Sequence, residues 1–127
     1  MQVKIDTKEK FHVITPMEAI LSATMADEVK ELLGAYLHYK VKNIVLDLTN
    51  ITEIDEEIAS QLLHLQREFY EKSASFVTCC LQEPVEAFLA ERELLELLNA
   101  APTQSEAADI VQMEEIEREL LDEDMLD

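Results

Sequence analysis

The sequence predicts one α/β domain in which a mixed β-sheet is covered by about four helices, and three observations carry that expectation. Short β-branched apolar runs alternate with longer stretches of helical apolar periodicity, the pattern of strands joined by crossover helices. The chain has 127 residues, the usual size of a single core. Hydrophobic residues make up 48% and charged residues 30% of it, a globular balance with no low-complexity stretch to serve as a linker.

The elements follow in order. Residues 2–6 alternate weakly and the run 11–15 follows after a polar stretch at 7–10, which predicts two short strands joined by a tight turn, the second ended by Pro16. From Met25 the apolar positions Val29, Leu32, Leu33, Tyr36 and Leu37 recur at helical spacing, and Thr24 with Asp27 forms a capping pair ahead of them. Residues 43–49 form a nearly continuous apolar run, as expected of a strand buried on both faces. A helix is predicted over residues 56–72, its stripe formed by Ile58, Leu62, Leu65 and Phe69. Residues 75–81 read as another buried strand, and Pro84 marks the start of a further helix carrying Val85, Phe88 and Leu89. A break at 99–104 leaves room for a brief last strand, and a final helix starts at Ser105, which caps it, with Glu106 in its first turn. The expected domain spans residues 1–122, and residues 123–127 are an acidic tail expected to fray.

Charge narrows the function classes. The formal net charge is -18, and nearly all of it lies after Asn50. Such a field repels phosphate backbones and anionic lipid surfaces, so neither nucleic acid nor direct membrane insertion is expected. Lys4, Asp6, Lys8, Glu9 and Lys10 interrupt any apolar core of a signal peptide, and no run approaches the ~20 apolar residues a bilayer span needs. A cytoplasmic protein is expected.

Little in the chain advertises catalysis. The one glycine, Gly34, sits inside a helical pattern, which excludes phosphate-cradling glycine loops. His12, His38 and His64 fall on different elements and make no metal-spaced pair, so no metal and no cofactor are expected. Cys79 and Cys80 are neighbours on a predicted strand, where successive side chains point to opposite faces; they read as reduced packing residues. The densest polar feature is Asp55-Glu56-Glu57, at a strand-to-helix junction of the kind where open α/β sheets place function. As structure, Asp55 is a good N-cap and Glu56 and Glu57 suit the first turn. As chemistry, three carboxylates suit a hard divalent cation, but no nucleophile stands beside them.

The run Asn43-Ile44-Val45-Leu46-Asp47-Leu48-Thr49-Asn50-Ile51-Thr52-Glu53-Ile54-Asp55, followed directly by a helix, resembles the central signature of STAS domains, the bacterial anti-sigma factor antagonist family. The resemblance extends along nearly the whole chain in element order, including the approach Leu21-Ser22-Ala23-Thr24 to the first helix. It implies a STAS-like fold and a regulatory, non-enzymatic protein-binding module. In that family the strand leads to Asp-Ser-Ser-Gly, whose first Ser is phosphorylated by a partner kinase that is also an anti-sigma factor. Here Asp55 matches, Glu56 stands in place of the phosphorylated Ser, Glu57 replaces the second Ser and Ile58 the Gly. The usual phospho-switch is therefore not expected, since Glu has no hydroxyl; Glu56 serves either as a permanent partial mimic of the phosphorylated state or as a plain first-turn residue. Ser60, one turn on, is an alternative phosphosite.

The partner-binding surface is accordingly expected at Asp55, Glu56, Glu57, Ile58, Gln61 and His64, with no catalytic residue. The expected partner is a protein, an anti-sigma factor or related kinase, with the effect falling on transcription. Two alternatives stand beside this reading: an accessory STAS subunit contacting a transporter ATPase, and a divalent-cation-dependent enzyme built on Asp55, Glu56 and Glu57.

Overall fold

A computed structural model of the chain describes the backbone of residues 1–126 and the side chains of residues 1–121. The tail expected to fray at 123–127 lies outside the described residues in its side chains. In chain order the elements are β1 (Val3–Thr7), β2 (His12–Pro16), β3 (Ile20–Leu21), α1 (Ala26–Gly34), β4 (Ile44–Asp47) and β5 (Glu53–Ile54). There follow α2 (Glu56–Glu71), β6 (Phe76–Cys79), α3 (Glu83–Glu91), the single-turn α4 (Leu95–Leu98) and α5 (Gln104–Leu126).

The main sheet is mixed and has the order β1-β2-β4-β6. β1 and β2 pair antiparallel across the tight turn read from the sequence, where Lys8 N–H donates to the Phe11 carbonyl at 2.8 Å. β2, β4 and β6 run parallel. Their registers align Val13, Val45 and Val77 in one row, and this row packs against Ala107 and Val111 of α5. The alternate residues Ile14, Ile44, Leu46 and Phe76 face a larger core closed by Val29 and Leu33 of α1 and by Leu62, Leu65 and Phe69 of α2. The sheet is therefore covered on both sides, which is why β4 and β6 read as uninterrupted apolar runs rather than alternating ones.

Several local expectations change. Thr24 and Asp27 form no capping pair: a 3-10 turn at Ala23–Met25 precedes α1, and neither Ser22 nor Met25 caps with its side chain. The helical spacing through Tyr36 and Leu37 is completed by a second 3-10 turn, Ala35–His38, which keeps both residues buried. α5 starts one residue earlier than Ser105, and its cap is Thr103, whose Oγ1 accepts from Glu106 N–H at 3.1 Å. The break at 99–104 holds a single parallel bridge, Cys79 with Ala101, after Asn99 has ended α4 in the left-handed conformation at φ 51.

α2 separates buried and exposed positions cleanly enough to test. Leu62 is 0% exposed and Tyr70 is 73% exposed on the same helix. Leu62→Ala is expected to cost about 2–5 kcal/mol of unfolding free energy in urea denaturation, whereas Tyr70→Ala should stay within about 0.5 kcal/mol. Equal losses would mean that the buried face of α2 is wrongly assigned.

Candidate functional site

β3 and β5, each two residues long, hold together the chain entering α1 and the chain entering α2. They pair parallel, Ile20 with Glu53 and Leu21 with Ile54. Thr52 N–H donates to the Ala19 carbonyl at 2.7 Å and Asp55 N–H to the Leu21 carbonyl at 3.3 Å. The loop from β4 to this pair is pinned as well, by Gln82 Nε2 on the Thr49 carbonyl at 2.6 Å and Asn50 Nδ2 on the Pro16 carbonyl at 3.2 Å.

Asp55 closes the arrangement. Its Oδ1 accepts from Ile58 N–H at 3.0 Å, the N-cap that the sequence predicts, and its Oδ2 accepts from Ala23 N–H at 2.6 Å. One carboxylate thus serves two helix starts that lie 32 residues apart in the chain. Free N–H groups at a helix start carry partial positive charge, so two adjacent starts need an anion between them.

From this anchor α2 presents its first two turns. Glu56, Glu57, Ser60 and His64 are exposed, and the stripe Glu57, Ser60 or Gln61, His64 follows helical spacing. Gln61 is half-buried, and its Nε2 has no hydrogen-bond partner among the described residues. Ile58 corrects the expected surface: at 0% exposure it belongs to the core beside Leu62, so its side chain is not available to a partner. Arg92, which follows α3, adds a cation the sequence reading missed. Its Nε lies 3.7 Å from Glu56 Oε2 while its guanidinium stacks 3.6 Å over the Phe88 ring. No sequence signal joins Arg92 to Glu56; only the packing of α3 beside β5 and α2 does. The exposed pair adds little stability, but it gives an acidic surface one positive point.

The acidic triplet does not converge. Both Asp55 oxygens are engaged by backbone N–H groups, and among the described residues the cluster of potential metal donors is a different one, Asp47 with Cys79 and Cys80. The histidines are also apart: His12 is buried between Thr7 Oγ1 and the Val41 carbonyl, each at 3.0 Å, while His38 and His64 are exposed. The cysteines need correction. Both are free, but their side chains do not diverge, because Cys80 leaves the strand in the left-handed region at φ 63 and its Sγ comes 3.4 Å from that of Cys79. Burial, and then the Cys80 thiol and the Asp47 carboxylate, push the Cys79 thiol far above its ordinary range, so it is no nucleophile in this setting.

The double role of Asp55 sets a ranking. Asp55→Ala removes both caps and is expected to cost about 2–4 kcal/mol, whereas Asp55→Asn keeps one carbonyl oxygen and should cost roughly half as much. Chemical denaturation measures both. An Asn variant as stable as the parent would show that a single cap carries the whole effect.

Solved structures similar to this fold include an anti-sigma factor antagonist from Mycobacterium paratuberculosis, with 13% identity and a TM-score of 0.74 over 87% of this chain and 93% of that one. A variant of Moorella thermoacetica RsbS with one serine replaced by glutamate matches at 21% identity and a TM-score of 0.70, covering 88% and 96% of the two chains. The murine anion transporter Slc26a9 in its inward-facing state matches at 12% identity and a TM-score of 0.67, over 82% of this chain and 18% of the transporter. No curated protein matches in sequence. The model of the STAS domain matches residues 2–107, most of the chain. The fold, the strand-loop-helix junction at Asp55 and this match agree, and the chain belongs to the STAS domain family.

Proposed function

We propose that this protein is a non-enzymatic regulator that binds a protein partner through the start of α2, in the manner of an anti-sigma factor antagonist. The observation that carries the reading is the rigid mounting of an exposed charged stripe. Glu56, Glu57 and His64 project, with Gln61 half-buried beside them, from a helix whose first turn is held by Asp55 and the β3–β5 pair, so little ordering is left to be done on binding. The partner of choice is an anti-sigma factor or related kinase.

Regulation differs from the usual form. Glu56 occupies the place of the phosphorylated Ser, exposed and within reach of Arg92. One carboxylate charge against about -1.5 to -2 for a phosphate makes it a weak, permanent mimic, so binding does not depend on a kinase acting at this position. Ser60, exposed one turn further along, is the remaining hydroxyl on the stripe.

A second reading has a specific support. The same fold forms part of the Slc26a9 transporter, so a role as accessory subunit of a transporter assembly, contacting its ATPase, fits the architecture equally. Among the described residues no helix is long and apolar enough to cross a membrane.

Affinity capture from native lysate with the parent and with Glu56→Lys/Glu57→Lys tests the site. Retention of a defined partner should fall about tenfold, corresponding to ~1.4 kcal/mol lost over two reversed rim charges. Glu117→Lys, on exposed α5, changes net charge in the same sense and should leave retention intact. Equal loss in both would reduce the site to bulk electrostatics, and co-purification with transporter components would favour the second reading.

A further inference from the structure

We propose that Asp47, Cys79 and Cys80 form a binding site for a thiolate-preferring divalent cation of the zinc class. One potential ligand atom from each lies within 4.8 Å of the other two, and the two sulfurs are 3.4 Å apart. Tetrahedral zinc with Zn–S bonds of ~2.3 Å sets its sulfurs about 3.8 Å apart, so the thiols need to open only slightly.

The cluster sits beyond the carboxyl ends of two neighbouring strands, where Asp47 of β4 pairs in register with Cys79 of β6 on the α5 side of the sheet. Three features set it apart from chance proximity. Asp47 is 4% exposed, and among the described residues it makes no ion pair. Its partners are neutral donors, Thr49 N–H on Oδ1 at 2.9 Å and Gln104 Nε2 on Oδ2 at 2.5 Å. Two of the roughly four lone-pair positions of the carboxylate therefore remain for a cation. Next, Cys80 is held at φ 63, a conformation rarely adopted by residues other than Gly, and this turn swings its sulfur onto Cys79. Last, Cys79 is fully buried whereas Cys80 is only partly so, which makes Cys80 the side from which an ion would enter.

The donor set selects the ion. Two sulfurs with one oxygen disfavour magnesium and calcium, which take all-oxygen shells, and suit zinc or cadmium. On binding, each coordinating thiol gives its proton to solvent as the metal–sulfur bond forms, and no electron is transferred. A bound ion would tie together the ends of β4 and β6, its two positive charges balanced by the two thiolates with Asp47 as the third ligand.

Cobalt(II) is the probe, added to the whole chain kept reduced by a non-coordinating phosphine. A thiolate-to-cobalt charge-transfer band in the near ultraviolet should appear, saturate at one equivalent and vanish on addition of zinc. Cys80→Ser, at the half-buried position, should abolish or strongly weaken the band while far-ultraviolet circular dichroism stays unchanged. Asp47→Asn should keep the band but lower cobalt affinity by at least ~10-fold. Cobalt bound without that band would place the ion on surface carboxylates and overturn the proposal, as would an unaltered band in the Cys80→Ser protein. Unchanged affinity in Asp47→Asn would remove Asp47 from the site and with it the three-ligand assignment.

Discussion

Two helix starts lie side by side on one face of this sheet, and the carboxylate of Asp55 accepts from both, Ala23 N–H at 2.6 Å and Ile58 N–H at 3.0 Å. Asp55 thus joins the first turn of α2, whose N–H groups carry the partial positive charge of a helix N-terminus, to the 3-10 turn that leads into α1, and without an acceptor there both would keep unpaired donors. The β3–β5 pair, only two residues on each side, is too short to hold them there by itself. Asp55 makes the approach favourable, beside the apolar packing of α1 against α2 over Leu33, Leu62 and Leu65. A neutral residue at this position would leave the core able to form but the junction loose.

That constraint explains why the acidic character is compatible with a specific surface. Much of the acidity falls on α2, α3 and α5, with Glu56, Glu57, Glu83, Glu86, Glu106 and Glu117 among their exposed positions, where it selects against polyanions. Asp55 differs from these acids because its charge is spent inside the fold. Glu56 and Glu57, directly after it, are left to face outward on a backbone that cannot turn them away. Arg92, over Phe88 and near Glu56, gives this part of the surface a mixed-charge pattern. A partner reading shape and alternating charge would recognise it; a merely basic one would not.

Much of this was legible before the structure. β4 and α2 were placed within about a residue or two at each end, because a continuous apolar run and a long period-3.6 stripe are strong signals. The N-cap half of Asp55 was legible too, since an Asp before a helical pattern has a local meaning. The Ala23 half was not, because that bond joins residues 32 apart and depends on strands too short to show any period. Ile58 was misplaced for a related reason: it lies beside the acidic triplet in sequence, but its helical phase belongs with Leu62 and Leu65 in the core. Arg92 carries no sequence mark at all. The cysteines were misread because the rule that strand neighbours diverge holds only while the strand continues, and Cys80 ends it by turning to φ 63.

β4 therefore feeds two polar centres on opposite faces of the sheet. Asp47, at its last residue, turns toward α5 and gathers Cys79, Cys80 and Gln104. The chain then passes Leu48 and Ile51, both fully buried, before Asp55 gathers the starts of α1 and α2 on the other face. No hydrogen bond among the described residues joins the two carboxylates; what separates them is packed apolar core, which transmits volume changes but not charge rearrangement. The proposed binding edge on one face and a polar cluster on the other can thus share a strand end without sharing a network.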